Sequence, residues 1–126
     1  MIRVIHYDYR RYESYRFRMR LVAELANYPE VDYLDYRPES VIFETGKIEL
    51  EKILPNKDVL LIHPGLKGQA IVLGYPAIFP KLRIAFVIGG EFEAYHMENG
   101  IMVIDGYRTD EIVKFILNRP TQSGTA

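Results

Sequence analysis

The stretch that decides the fold is DVLLIHPG, residues 58–65. Its apolar run, closed by Pro64–Gly65, is typical of a buried β-strand. Two similar runs flank it along the chain: Ile2–Tyr7 (IRVIHY), which stops at Asp8, and Leu82–Ile88 (LRIAFVI), which closes on Gly89–Gly90. The sequence therefore predicts at least three buried strands that end in turns.

Helical patterns separate these strands. From about Tyr12 to Tyr28, apolar residues recur on one helical face, and Pro29 ends the helix. That face comprises Phe17, Leu21, Val22, Leu25 and Tyr28, while Arg20 and Glu24 form an i,i+4 pair away from it. Val31–Tyr36 follows as a strand nearer the sheet edge.

The second half of the chain continues the alternation. Residues 39–54 suit a helix ending at Pro55 or a hairpin around Thr45–Gly46; the helix is favoured because strands and helices alternate elsewhere. The remaining elements are a short helical piece within 66–80, one or two helical turns over Glu91–Glu98, a strand at Ile101–Ile104, and a last helix from an N-cap at Thr109 to about Asn118.

Short apolar strands that alternate with helices predict an α/β fold with helices on both faces of a parallel sheet. Five such strands suit a flavodoxin-like, doubly wound sheet in the order 2-1-3-4-5. We expect one domain over residues 1–119, and a polar tail or linker over 120–126.

Composition excludes several classes of function. The 126 residues contain no cysteine, which rules out disulfides, thiolate metal sites and a cysteine nucleophile. Apolar runs fall short of the roughly 18 residues that span a bilayer, and the N-terminus lacks a secretory pattern, so we expect a cytoplasmic protein without a membrane partner. The motifs HExxH, GxSxG and the Walker P-loop are absent.

The N-terminal charge suggests a nucleic-acid alternative. Six arginines lie within residues 1–20, against Asp8 and Glu13, although the whole chain has a net charge of −1. Binding through the first helix would use these cations and nearby tyrosines. Because Glu13 and Glu24 interrupt the basic face, nucleic acid is not the favoured partner.

Polar residues at the carboxyl ends of the strands mark a candidate site. In a 2-1-3-4-5 sheet the crevice lies between strands one and three, so Asp8 and His63 should face each other there. This pair could act as a general base or bind a divalent metal, the only cofactor that the sequence suggests. A small enzyme that hydrolyses phosphate esters is therefore one alternative, with Glu91 or Asp105 as acidic help.

Four residues at neighbouring strand ends form a second candidate, a pocket for a ligand or anion. They are Gly89, Gly90, Glu91 and Asp105. Backbone amides at a helix start suit an anion, but Glu91 would repel it or occupy the place itself. We favour the interpretation that Gly89 and Gly90 form a tight turn between a strand and a helix.

The candidate interface residues are Arg18 and Tyr107. Arg18 lies close to the apolar stripe of the first helix, so we expect it to reach a carboxylate such as Asp8 or to pack across a subunit contact. The ten tyrosines suit a protein interface. Of the remaining histidines, His6 is expected in the core or a subunit contact, and His96 on the surface.

The segment DVLLIHPGLKG, residues 58–68, resembles the strand-three region of receiver domains in bacterial response regulators. IRVIHYD at the start is similar to their first strand, KLRIAFVIG (81–89) to their fourth, and NGIMVIDGYRTDEIVKFIL (99–117) to their C-terminal strand and helix. The resemblance implies a receiver fold over most of residues 1–118.

The resemblance also implies an altered site. Asp8 matches one acid of the receiver magnesium pair, and Tyr9 replaces the other. His63 stands at the position of the phosphoacceptor aspartate of receivers. The positions of their switch Ser/Thr and of their lysine fall at residues 88–89 and 104–105, which carry neither residue type. The implied function is a pseudo-receiver, a signalling module that contacts a partner protein or a second copy without ordinary aspartyl phosphorylation. Whether the chain is an enzyme stays open, with a non-enzymatic module favoured.

Overall fold

The computed structural model describes residues 1–8, 15–36, 43–63, 74–88, 101–106 and 108–120. The strands are β1 (Ile2–Asp8), β2 (Val31–Tyr36), β3 (Val59–His63), β4 (Arg83–Ile88) and β5 (Met102–Asp105). The helices are α1 (Tyr15–Leu25), α2 (Phe43–Ile53) followed by a 3-10 turn (Leu54–Asn56), α3 (Tyr75–Ile78) and α4 (Thr109–Ile116).

The strands form one parallel sheet in the order β2-β1-β3-β4-β5. The predicted flavodoxin-like α/β fold is therefore confirmed, with β2 at a sheet edge as expected. β1 lies between β2 and β3, with Val4 in register with Tyr33 on one side and Val59 on the other. The register carries on to the strand ends, where Asp8 is paired with His63.

Two apolar layers cover the sheet, one on each face. The layer beneath α1 and α4 contains Val4, Leu21, Leu25, Val59, Leu61, Ala85, Val87, Ile104, Ile112, Val113 and Ile116. The opposite layer contains Ile5, Tyr7, Leu50, Leu54, Leu60, Ile62, Tyr75, Ile84, Phe86 and Ile101. Because alternate residues of one strand enter different layers, the central strand β3 is apolar and fully buried from Val59 to Ile62.

The buried side of α1 differs from the predicted one. Leu21 and Leu25 are buried as expected, but Val22 is 50% exposed, while Arg18 is only 5% exposed. The inward side thus runs along Arg18, Leu21 and Leu25, and the choice of Val22 as a core residue is wrong. The sequence pattern places Arg18 beside the apolar stripe, but the apolar character of Val22 pulls the predicted face away from Arg18.

The ambiguous segment before β3 is a helix, which confirms the favoured alternative over the hairpin. In α2, Leu50 is fully buried, and Leu54 follows in the 3-10 turn with 1% exposed. Of the predicted helical piece in 66–80, the single turn of α3 lies in the described part. The expected helical turns at Glu91–Glu98 and the tail at 121–126 lie outside the described residues.

The last helix starts one residue earlier than predicted. Thr109 is its first helical residue and Arg108 holds the N-cap position, so the expectation of Thr109 as N-cap is wrong. Asp110 and Glu111 do lie in the first turn, where the helix dipole favours carboxylates. Within the described ranges, we find no helix long and apolar enough to cross a bilayer.

Candidate functional site

The carboxyl ends of β1 and β3 lie side by side, as the site prediction requires. Asp8 and His63 are Cα partners in the parallel ladder, each at the last position of its strand. This juxtaposition follows from the strand order, because β1 and β3 flank the point where the chain reverses its direction of winding. The structure thus brings the two predicted residues together at the backbone level.

A buried polar pair lies two residues before this end. His6 is fully buried, and its Nδ1 lies 2.5 Å from the hydroxyl of Tyr33 on β2. The two rings are 5.9 Å apart at an angle of 50°. The core position expected for His6 is confirmed. A hydroxyl on one ring nitrogen fixes the orientation of the imidazole, which a sequence pattern cannot show.

Arg18 binds a carboxylate on the edge strand beside this pair. Its Nη1 donates to Asp35 Oδ2 at 3.1 Å, and Asp35 is in register with His6. The expectation that Arg18 reaches a carboxylate is therefore confirmed with Asp35, and the side chain of Asp8 lies outside the described part. Tyr33 and Asp35 are polar members of the site that sequence reasoning missed, although their spacing places both on one face of β2.

The ends of β4 and β5 also lie together. Asp105 is in register with Ile88, and its carbonyl accepts a hydrogen bond from the Arg108 amide at 2.9 Å. The other three members of the proposed anion pocket, Gly89, Gly90 and Glu91, lie outside the described residues, as do Tyr107 and His96. The pocket prediction stays a prediction.

Glu111, in the first turn of α4, is a buried carboxylate that the sequence alone did not single out as a site residue. Its side chain is fully buried, with Oε1 3.3 Å from Arg108 Nη2 and 3.6 Å from Lys114 Nζ. Two cations thus face one carboxylate, which offsets the cost of burying its charge. The carboxylate also lies at the amino end of α4, where the helix dipole favours a negative charge.

Charged residues at the amino ends of the strands have structural roles. The Asp58 carboxylate accepts a hydrogen bond of 2.8 Å from the backbone amide of Arg3. This hydrogen bond is the main reason why the pKa of the Asp58 carboxyl lies below its usual value. Arg83 donates to the carbonyls of Phe115 and Ile116, which end α4. Burial lowers the pKa of the Arg83 guanidinium.

These contacts bear on the nucleic-acid alternative. Among the N-terminal arginines whose side chains the structure describes, Arg3 pairs with Asp58 at 3.4 Å and Arg18 with Asp35 at 3.1 Å. Arg3 lies on β1, so only Arg18 bears on binding through α1. Because a phosphate backbone is bound by several free cations on one face, the engagement of Arg18 weakens the case for such binding.

The described side chains define no metal centre. Among them, no three histidine or acidic residues come close enough to hold an ion together. Asp8 and His63 could supply two ligands to a metal ion, because their Cα atoms are partners in the strand ladder. Alternatively, His63 could act as a base that the Asp8 carboxylate orients.

The chain thus belongs to the class of flavodoxin-like α/β domains with polar residues at the carboxyl ends of β1 and β3. No family model and no curated protein sequence matches it. Two solved structures share the fold at 15% identity over 92% of this chain. A "putative lipoprotein" fragment from Peptoclostridium difficile 630 has a TM-score of 0.64, with 99% of it covered. The lysine decarboxylase LdcF of Francisella novicida has a TM-score of 0.57, with only 17% of it covered.

Proposed function

We propose that this chain is a receiver-like regulatory module that acts through protein contacts and is not switched by ordinary aspartyl phosphorylation. The observation that carries the proposal is the pairing of Asp8 with His63 at the ends of β1 and β3. In a receiver-like sheet of this order, the phosphoacceptor stands at the end of the third strand. Here that position carries an imidazole, which cannot form an acyl phosphate.

The fold comparison supports a role as a module. A fold of this kind accounts for 17% of the Francisella novicida lysine decarboxylase chain, and so for a small part of a much larger protein. An α/β unit of this size can therefore form one part of a larger protein.

Acetyl phosphate with Mg²⁺ tests this proposal directly. We expect the intact mass of the chain to stay unchanged, while a phosphorylation-competent receiver domain treated in parallel gains about 80 Da. A gain of that size that hydroxylamine removes would identify an acyl phosphate on a carboxylate, and this result would overturn the proposal. Repeating the reaction with Asp8→Asn would then show whether Asp8 is the acceptor.

A hydrolytic site is the second candidate, and the same pairing of Asp8 with His63 favours it. A divalent metal bound there should raise the melting temperature, because a ligand that binds only the folded state stabilises it. Under this alternative, Asp8→Ala and His63→Ala both abolish the shift, and Asp32→Ala on the exposed edge of β2 leaves it intact. The absence of a shift with Mg²⁺, Mn²⁺ and Zn²⁺ would count against a metal-dependent hydrolase.

A further inference from the structure

We draw no further inference here: the strongest candidate, the basic patch of Arg3, Lys57, Lys81 and Arg83 at the amino edge of the sheet, carries nothing because Asp58 engages Arg3, the end of α4 engages Arg83, and nothing in the structure shows what would cover the two lysines.

Discussion

Arg18 shows how one residue can reverse a pattern read from sequence. Arginine on a surface helix is ordinarily a solvated cation, but the position of Arg18 beside the apolar stripe predicts a carboxylate partner, and the side chain is only 6% exposed and held by Asp35, itself 32% exposed. The aliphatic part of an arginine packs against apolar neighbours, while its guanidinium keeps a charge-assisted hydrogen bond. Burial of Arg18 is therefore compatible with the core that Leu21 and Leu25 form.

Arg18→Ala should lower the free energy of unfolding by about 1–3 kcal/mol. The change removes packed side-chain volume and leaves Asp35 without this cation, although partial exposure lets water solvate the carboxylate. Urea denaturation measures the loss. Arg20→Ala, on the exposed side of the same helix, is the matched control and should stay within about 0.5 kcal/mol of the unaltered chain. Equal effects of the two changes would mean that the buried ion pair contributes nothing.

The Asp58 carboxylate should make stability depend on pH in the acid range. The amide of Arg3 lowers the pKa of the folded-state carboxyl below its usual 3.8. The stabilisation is thus complete above the unfolded-state pKa, and it is lost as pH falls through the lower folded-state pKa. Because the side chain is 41% exposed, we expect its contribution to stay below about 1 kcal/mol.

Asp58→Asn tests this by removing the charge while keeping an oxygen acceptor for the Arg3 amide. The variant should be less stable than the unaltered chain at pH 7, and the difference should shrink as the pH is lowered toward 2. Chemical denaturation at several pH values measures this difference. A difference that stays constant or grows on acidification would assign the effect of the substitution to something other than the titration of Asp58.

At the scale of elements, the end of α4 is fixed by its backbone and by a distant strand. Asn118 has φ 58°, and the amides of Asn118 and Arg119 bond back to the carbonyls of Phe115 and Lys114 at 3.1 and 2.8 Å. This is a Schellman motif with asparagine at the left-handed position. Arg83 on β4 adds donors to the last carbonyls of the helix, which favours a cation there.

Asn118→Gly should therefore leave the stability unchanged or raise it slightly, because glycine adopts a positive φ without a steric penalty. Asn118→Val should lower the free energy of unfolding by about 1–2 kcal/mol, since a β-branched side chain resists this conformation. Thermal or urea unfolding of the pair gives the comparison. If both variants behave alike, the left-handed residue does not limit the stability of the helix end.

The elements differ in how far the sequence predicts them. β2 is predicted with its bounds as observed, because Pro29 and Pro38 flank it closely. The bounds of β1, β3 and β4 deviate by one residue at one end, and those of β5 by one residue at each end. The buried side of α1 is predicted in part: Leu21 and Leu25 are buried as expected, but Val22 is exposed. The partner of Arg18 is Asp35, which is distant in sequence. The contact between His6 and Tyr33 is equally hidden: it depends on the register between β1 and β2, which no single segment encodes.

At the scale of the whole molecule, the topology brings together residues that the sequence separates. Asp8 and His63 are 55 positions apart, yet the order β2-β1-β3 makes their strands neighbours. The alternation of strands and helices together with the rule for parallel sheets was enough to predict this. The contact of His6 with Tyr33 and the choice of Asp35 as the partner of Arg18 could not be predicted, because side-chain contacts depend on packing across different elements.

The strands of the sheet should differ in local stability, with the edge strand β2 opening at lower free energy than the central strand β3. β3 lies between β1 and β4, and Val59, Leu60, Leu61 and Ile62 are all fully buried. β2 is an edge strand with exposed residues along its length, including Leu34 at 39%. Local openings that release an edge strand expose less apolar surface than those that release a central one, so they cost less free energy.

Native-state hydrogen exchange measures these openings for each amide. The amides of Leu60 and Leu61 in β3 should exchange only through global unfolding, with an opening free energy equal to that from urea denaturation. Amides of β2 should open at lower free energy, and low urea concentrations should barely change their exchange, because local opening exposes little new surface. Edge amides as protected as those of β3 would instead indicate that another chain or segment covers β2, which concentration-dependent exchange would reveal.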